Sequence, residues 1–278
     1  MELRIANCQY TAQADETATC DIVLPMMAEA ANKGADMICL PECASRLDPV
    51  SASLMANSQT ENNSDSLSWF RDAARTHNTW VMIGSLLLKS EQADDMLVNR
   101  GFLITPNGDI RARYDKIHMF DVSVNDGQNY HESSRFIAGH KTLLVQMDGW
   151  RLGMTICYDL RFPYLYRQLA AAGADLITIP AAFTKVTGTA HWHSLMRARA
   201  IENGVFIVSP AQCGTHAAGR QTYGHALVVD PWGTVLSDAG ADPALTLTTV
   251  NLDAVAKART AIPSLASGRE DDIELELI

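Results

Sequence analysis

The segment Leu152-Gly153-Met154-Thr155-Ile156-Cys157-Tyr158-Asp159-Leu160-Arg161-Phe162-Pro163 runs an apolar strand into a cysteine, a polar cluster and a helix start. A thiol at the C-terminal mouth of a strand stands where open α/β sheets place their ligands, and a helix N-terminus just beyond it favours the nucleophilic thiolate. Such a nucleophile needs a base to take its proton and a cation to hold the oxyanion that forms when sulfur attacks a carbonyl carbon. Glu42 follows an apolar strand and a proline, where burial raises a carboxyl toward the pKa of a useful proton shuttle. Lys116, in Arg113-Tyr114-Asp115-Lys116-Ile117-His118-Met119-Phe120, has aromatic and aliphatic neighbours and could hold a negative oxygen in a poorly solvated pocket. Glu132, in Tyr130-His131-Glu132-Ser133-Ser134, is a fourth candidate. Each has a commoner reading in isolation: a core thiol, an N-cap or surface acid, a snorkelling lysine and a loop acid. Arg161 carries a planar fork suited either to a substrate carboxylate or to an internal salt bridge.

Other chemistries lack their residues. The chain has no G-x-G-x-x-G after a strand, no H-E-x-x-H and no paired C-x-x-C. Gly214-Thr215-His216-Ala217-Ala218-Gly219-Arg220-Gln221 approaches a phosphate loop but has Arg-Gln where Lys and Ser/Thr would grip phosphate and magnesium. Cys39 and Cys43 read as buried structural thiols, and His191 and His193, two apart, point different ways on a helix. Neither a metal nor an organic cofactor is expected. With Lys+Arg 22 against Asp+Glu 32, the net charge of −10 disfavours nucleic acid as a partner. No apolar stretch reaches the roughly 20 residues that cross a bilayer, and the first eight residues lack a basic segment followed by an apolar one. A cytoplasmic protein with reduced thiols is expected, the 6 cysteines being scattered rather than dense.

The elements that must position these groups alternate between short apolar runs and helical stretches, the pattern of an α/β protein. In the first half, strands are predicted at 3–9, 37–40, 80–86, 98–105 and 110–113, with helices at 15–33 and 66–76. In the second, strands are predicted at 142–146, 151–156, 175–179 and 205–209, with helices at 163–172 and 190–202. Turns at Pro106-Asn107-Gly108 and Pro231-Trp232-Gly233 make hairpins. Three pairs of segments look alike across the halves. Gly34-Ala35-Asp36 matches Gly173-Ala174-Asp175, residues 3–8 match 152–157, and the two Pro-x-Gly turns match each other. Two related halves with unequal insertions follow, and no low-complexity linker divides residues 1–278, so one domain is expected.

Taken together, Leu40-Pro41-Glu42, Tyr114-Asp115-Lys116-Ile117-His118 and Cys157-Tyr158-Asp159-Leu160-Arg161-Phe162-Pro163 resemble, in order, the three motifs of the nitrilase superfamily of carbon–nitrogen hydrolases. The resemblance runs almost end to end. His118-Met119-Phe120-Asp121-Val122, Pro180-Ala181-Ala182-Phe183-Thr184 with His191-Trp192-His193, and Arg197-Ala198-Arg199-Ala200-Ile201-Glu202 resemble the branch holding deaminated glutathione amidase and ω-amidase. Thr222-Tyr223-Gly224-His225 with Val229-Asp230-Pro231-Trp232-Gly233 resembles the former more. The resemblance implies a four-layer αββα sandwich of two similar halves, often a homodimer or larger. It implies a cofactor-free amidase acting on a small carboxylate-bearing amide, with an ω-amidase, an N-carbamoyl amino acid hydrolase or a non-catalytic scaffold as alternatives. Glu42, Lys116 and Cys157 would be catalytic, with Glu132 supporting the lysine. Tyr158 would supply an oxyanion N–H, and Arg161, Phe183 and Thr184 would contact substrate. His193 stands where that family usually has an acid.

Overall fold

Two six-stranded sheets lie at the centre of the computed structural model, which describes residues 1–48, 51–124, 129–268 and 276–277. The first half supplies β1 (Glu2–Gln9), α1 (Glu16–Asn32), β2 (Met37–Cys39), α2 (Ser51–Asn57), α3 (Asp65–His77), β3 (Trp80–Lys89), β4 (Leu97–Ile104) and β5 (Ile110–Asp115). A small ribbon of β6 (Asp121–Ser123) and β7 (Asn129–His131) leads to the second half. There follow β8 (Leu143–Gln146), β9 (Arg151–Met154), α4 (Pro163–Ala171), β10 (Leu176–Thr178), α5 (Lys185–Asn203), β11 (Phe206–Ser209), β12 (Cys213–Thr215), β13 (Gln221–Tyr223), β14 (Leu227–Val229) and β15 (Val235–Asp238). The chain then returns through β16 (Ala244–Asn251) to α6 (Asp253–Ala261).

The sheets run β16-β1-β2-β3-β4-β5 and β15-β14-β11-β10-β9-β8. In each, three parallel strands are flanked by antiparallel ones. Alternation along a strand sends successive side chains to opposite faces. Ile38, Val81 and Ile83 pack with Val23, Met27 and Phe70 of α1 and α3. Met37, Cys39 and Met82 turn the other way, into one buried cluster with Leu152, Met154 and Ile177 of the second sheet. Leu165, Leu169, Trp192 and Met196 of α4 and α5 complete that cluster, giving the αββα order of layers. No helix among the described residues is long and apolar enough to cross a membrane.

All three pairs lie on equivalent strands and turns of the two sheets, but β1 and β9 correspond two residues away from the expected match: Ile5 pairs Met37 as Leu152 pairs Leu176, so Cys8 corresponds to Thr155 rather than Cys157. At β1 and β9, Arg4 and Arg151 donate their backbone N–H to Asp36 and Asp175 at 2.7 and 2.8 Å. The two arginine side chains reach the carbonyls of Lys33 and Ala172, where Gly34 and Gly173 end α1 and α4 with φ of 80° and 95°. The two Pro-x-Gly turns join β4 to β5 and β14 to β15.

The described structure departs from the predicted elements at several points, and α2, the ribbon of β6 and β7 and the hairpin of β12 and β13 have no predicted counterpart. Strand 151–156 stops at Met154, because Cys157–Arg161 winds into a 3-10 turn held by the buried Asp159 carboxylate, which accepts the Ile156 N–H at 2.9 Å. Helix 190–202 begins earlier, at Lys185, since Thr184 caps it by accepting the Thr187 N–H on its side chain. The strand β16 and helix α6 were not anticipated. The β16 sequence, rich in threonine, is half-buried and gains its strand character by pairing with β1 from Glu2↔Asn251 to Gln9↔Ala244.

Candidate active site

Glu42, Lys116 and Cys157 arrive from three separate turns. Pro41 and Glu42 follow β2, Lys116 ends the hairpin after β5, and Cys157 opens the 3-10 turn after β9. Lys116 Nζ donates to Glu42 Oε1 at 3.0 Å and to Glu132 Oε1 and Oε2 at 2.9 and 2.8 Å. The Cys157 thiol donates to Glu42. All four residues border one cavity of about 140 Å³, and Cys157, 7% exposed, is not sealed in hydrocarbon.

Cys157 takes a left-handed backbone, φ 47°, which is unusual for a residue with a Cβ and marks a turn over-determined by its surroundings. Those surroundings are visible. The Cys157 N–H donates to the Pro180 carbonyl at 2.9 Å. Fully buried Asp159 accepts from Tyr114 Oη at 2.8 Å and from the His118 backbone at 3.1 Å, and its Oδ1 lies 2.6 Å from His118 Nδ1. The segment carrying the lysine is thereby bolted to the turn carrying the thiol.

The electrostatics assign resting proton states. Burial works to raise the Glu42 carboxyl, but Lys116 and hydrogen bonds from Cys157, Lys116 and the Ala182 N–H outweigh it, so Glu42 is held below the ordinary glutamate range. Burial pulls Lys116 down, yet Glu132 and Glu42 hold it well above the usual lysine value. Burial and the Glu42 charge push the Cys157 thiol well up, against the pull of Lys116. Two expectations are corrected here. Glu42 is not raised overall, because its pairing outweighs burial, and Cys157 rests as a thiol because burial and the Glu42 carboxylate both penalise its charged form.

Sequence reasoning missed Asn99 on β4, which was an unremarkable strand residue until folding placed it between two acids. Its Nδ2 donates to Glu42 Oε1 at 3.0 Å and to Glu132 Oε1 at 3.2 Å, while its carbonyl accepts the Lys116 N–H at 3.0 Å. The Ala182 N–H donates to Glu42 Oε2 at 2.9 Å, and the Phe120 N–H to Glu132 Oε2 at 2.7 Å. Every one of these donors favours an ionised carboxylate.

Residues 4–260 match the carbon–nitrogen hydrolase family. The chain belongs to that family. This carbon–nitrogen hydrolase is 42% identical to a Yersinia enterocolitica protein named deaminated glutathione amidase, over 74% of this chain and 72% of that one. It is 49% identical to a Synechocystis protein of the same name, over 60% of this chain and 62% of that one. Among solved structures, the Caenorhabditis elegans NitFhit protein superposes with a TM-score of 0.90 at 33% identity, over 98% of this chain and 66% of that one. The protein is thus an amidase-class carbon–nitrogen hydrolase of the nitrilase superfamily.

The remaining sequence candidates of the hydrolase fall in two groups. Tyr158, Phe183 and Thr184 border the cavity beside Cys157. Arg161 does not. Its guanidinium lies 5.3 Å from the centre of the Phe183 ring, which borders the cavity, and 3.3 Å from His191 Nδ1, and it makes no salt bridge among the described residues. His193 partners Asp238 rather than His191: its Nε2 lies 3.0 Å from Asp238 Oδ2, and His225 Nδ1 lies 2.9 Å from Oδ1. These three could present ligand atoms to one ion, a grouping of residues far apart in sequence that spacing alone does not reveal. Cys39 faces the core between the sheets and Cys43 borders the cavity, and both are free thiols.

Proposed function

We propose that this hydrolase cleaves the C–N bond of a small carboxylate-bearing amide through a thioester on Cys157, with deaminated glutathione as the substrate that fits best. The observation that carries the reading is the buried carboxylate–ammonium–thiol contact in one cavity, each group in the proton state the first step needs. The names of the Yersinia and Synechocystis relatives support the substrate.

Glu42 takes the thiol proton as Sγ attacks the amide carbon, so thiolate forms only at the moment of use. The oxygen gathers negative charge and is held by Lys116 Nζ and the Tyr158 backbone N–H. Glu42 then passes its proton to the departing nitrogen, the C–N bond breaks and the acyl group stays on sulfur. The same carboxylate deprotonates a water that attacks the thioester, and the carboxylic acid and the thiol are regenerated. Glu132, bonded to Lys116 through both oxygens, positions the ammonium and neutralises part of its charge. Nothing in the cycle calls for a metal or organic cofactor. A single domain over 1–278, a cytoplasmic setting and a homodimer or larger assembly belong to the same reading, and light scattering on the purified protein tests the last.

The deciding experiment is mass spectrometry of protein quenched during turnover of an amide panel. An acyl group on the Cys157 peptide is expected, absent from Cys157→Ala, together with release of cysteinylglycine from deaminated glutathione. Ammonia alone from 2-oxoglutaramate would instead mark an ω-amidase, and an unmodified Cys157 during turnover would refute the thioester.

A further inference from the structure

The stretch 213–223, which lacks the residues of a phosphate loop, is a hairpin of β12 and β13 that delivers one arginine to the cavity wall. His216 clamps the hairpin, its Nδ1 lying 2.9 Å from the Ala12 carbonyl oxygen and its Nε2 lying 2.7 Å from Thr222 Oγ1. The Tyr223 N–H donates to the Phe183 carbonyl at 2.9 Å, and Thr222 bridges to Thr184, so the hairpin is docked on two residues that border the cavity.

Arg220 leaves this rigid base with its guanidinium 5.6 Å from the centre of the Tyr130 ring, and Nη2 donates to the Ala182 carbonyl at 3.0 Å. Its Nε is sealed from solvent and has no hydrogen-bond partner among the described residues. Lys116 differs, since two carboxylates already neutralise it. A partly satisfied guanidinium at the cavity wall, held by one backbone carbonyl and facing no described carboxylate partner, suits a planar oxyanion in the cavity.

Geometry also indicates which half of the substrate it meets. Ala182 is gripped from both polar ends, its N–H by Glu42 Oε2 and its carbonyl by Arg220. Glu42 hands the proton to the departing nitrogen, so the wall behind it borders the leaving amine. Arg135, which also borders the cavity, closes the turn that carries Glu132, its backbone N–H donating to the Glu132 carbonyl at 3.0 Å.

We propose that Arg220 is a specificity residue that binds a carboxylate on the amine half of the substrate, so that the site favours amides of an amino acid or dipeptide over primary amides. The inference rests on the amidase reading and extends it to the second half of the substrate.

The test compares N-glutarylglycine with N-glutarylglycinamide, near-isosteres that differ in the charge on the leaving group, as substrates of the wild type, Arg220→Gln and Arg220→Lys. The wild type is expected to prefer the glycine form by roughly ten- to hundredfold in kcat/KM. Arg220→Gln should erase that preference by raising KM for the glycine form alone, and Arg220→Lys should restore part of it. Equal losses on both amides, the result of a merely structural role, overturn the proposal, as does an undiminished preference in Arg220→Gln. If the wild type hydrolyses neither amide and carries no glutaryl group on Cys157, the amidase reading fails. Calorimetry then decides Arg220 by itself. Glycine-form binding roughly tenfold tighter than glycinamide in the wild type, but not in Arg220→Gln, sustains it; equal affinities overturn it.

Discussion

At the scale of single residues, the site is one ammonium between two carboxylates, with a neutral thiol and an amide bonded to them. Lys116 faces two acids, and Asn99 bonds both, so removal of any member leaves a buried neighbour without its partner. Replacing Asn99 by Leu strips one donor from each carboxylate. A fall of about tenfold in kcat is expected, with the acid limb of the pH–rate profile moving upward, because an anion that loses a donor is easier to protonate. Wild-type activity should itself be flat from neutrality down through the ordinary glutamate range. In the proposed mechanism the base works deprotonated, and the depressed Glu42 carboxyl stays so until the pH falls below that range. Initial rates from pH 4 to 9 check this, and an acid limb near pH 6 would show that burial, not pairing, governs Glu42. Resting as a thiol, Cys157 should also react with iodoacetamide at a rate that climbs with pH instead of levelling off near neutrality.

At the scale of elements, the hairpin of β12 and β13 is held by a histidine that must stay neutral. Burial, aided by nearby Arg220 and opposed by the hydrogen bond to Ala12, lowers His216 from 6.5 to about 4. The unfolded chain therefore takes up a proton between those values that the native protein refuses, and stability falls as the pH drops through that window. The loss attributable to this group reaches about 3 kcal/mol by pH 4. Denaturant titrations at pH 7.5 and 4.5 should show it, with a smaller difference in His216→Gln. An identical difference in both proteins would place the acid sensitivity elsewhere. Helix α5 makes the same point about local chemistry, since Thr184 caps the helix and borders the cavity at once.

At the scale of the whole molecule, the site lies where the two halves meet. Residues 37–42 and 176–181 are equivalent, so Pro41 and Pro180 are counterparts, and both approach Gly84 on β3. A Cβ at Gly84 would stand 2.3 Å from the Leu40 carbonyl oxygen and 2.4 Å from both Pro180 Cβ and the Pro41 carbonyl carbon. Backbone cannot yield as a flexible side chain does. Gly84→Ala is expected to cost about 3 kcal/mol and to lower activity by displacing Glu42 from Cys157, read by thermal unfolding and kcat together. Full activity with an unchanged Tm would mean the halves are less tightly seated than these contacts imply. The repeat also explains an asymmetry: Glu42 has Ala181 as its counterpart, so the first half contributes a carboxylate and the second the Ala182 N–H that donates to it.

The alternation of apolar runs, the glycine stops after α1 and α4 and the similar segments of the two halves were legible in the order of amino acids, because each depends on neighbours within a few positions, whereas Glu42, Lys116 and Cys157 stood out only as three motifs taken together. Partners distant along the chain were not. Asn99 and Arg220 carry no local signal, Arg161 finds its neighbours in Phe183 and His191 only in the fold, and the grouping of His193 with His225 and Asp238 joins residues far apart in the chain. Proton states belonged to the fold as well. Burial alone predicts a raised Glu42, and the approach of Lys116 to 3.0 Å together with the hydrogen bonds from Cys157 and Ala182 reverses it, since the charge on a buried group follows from what stands next to it in space.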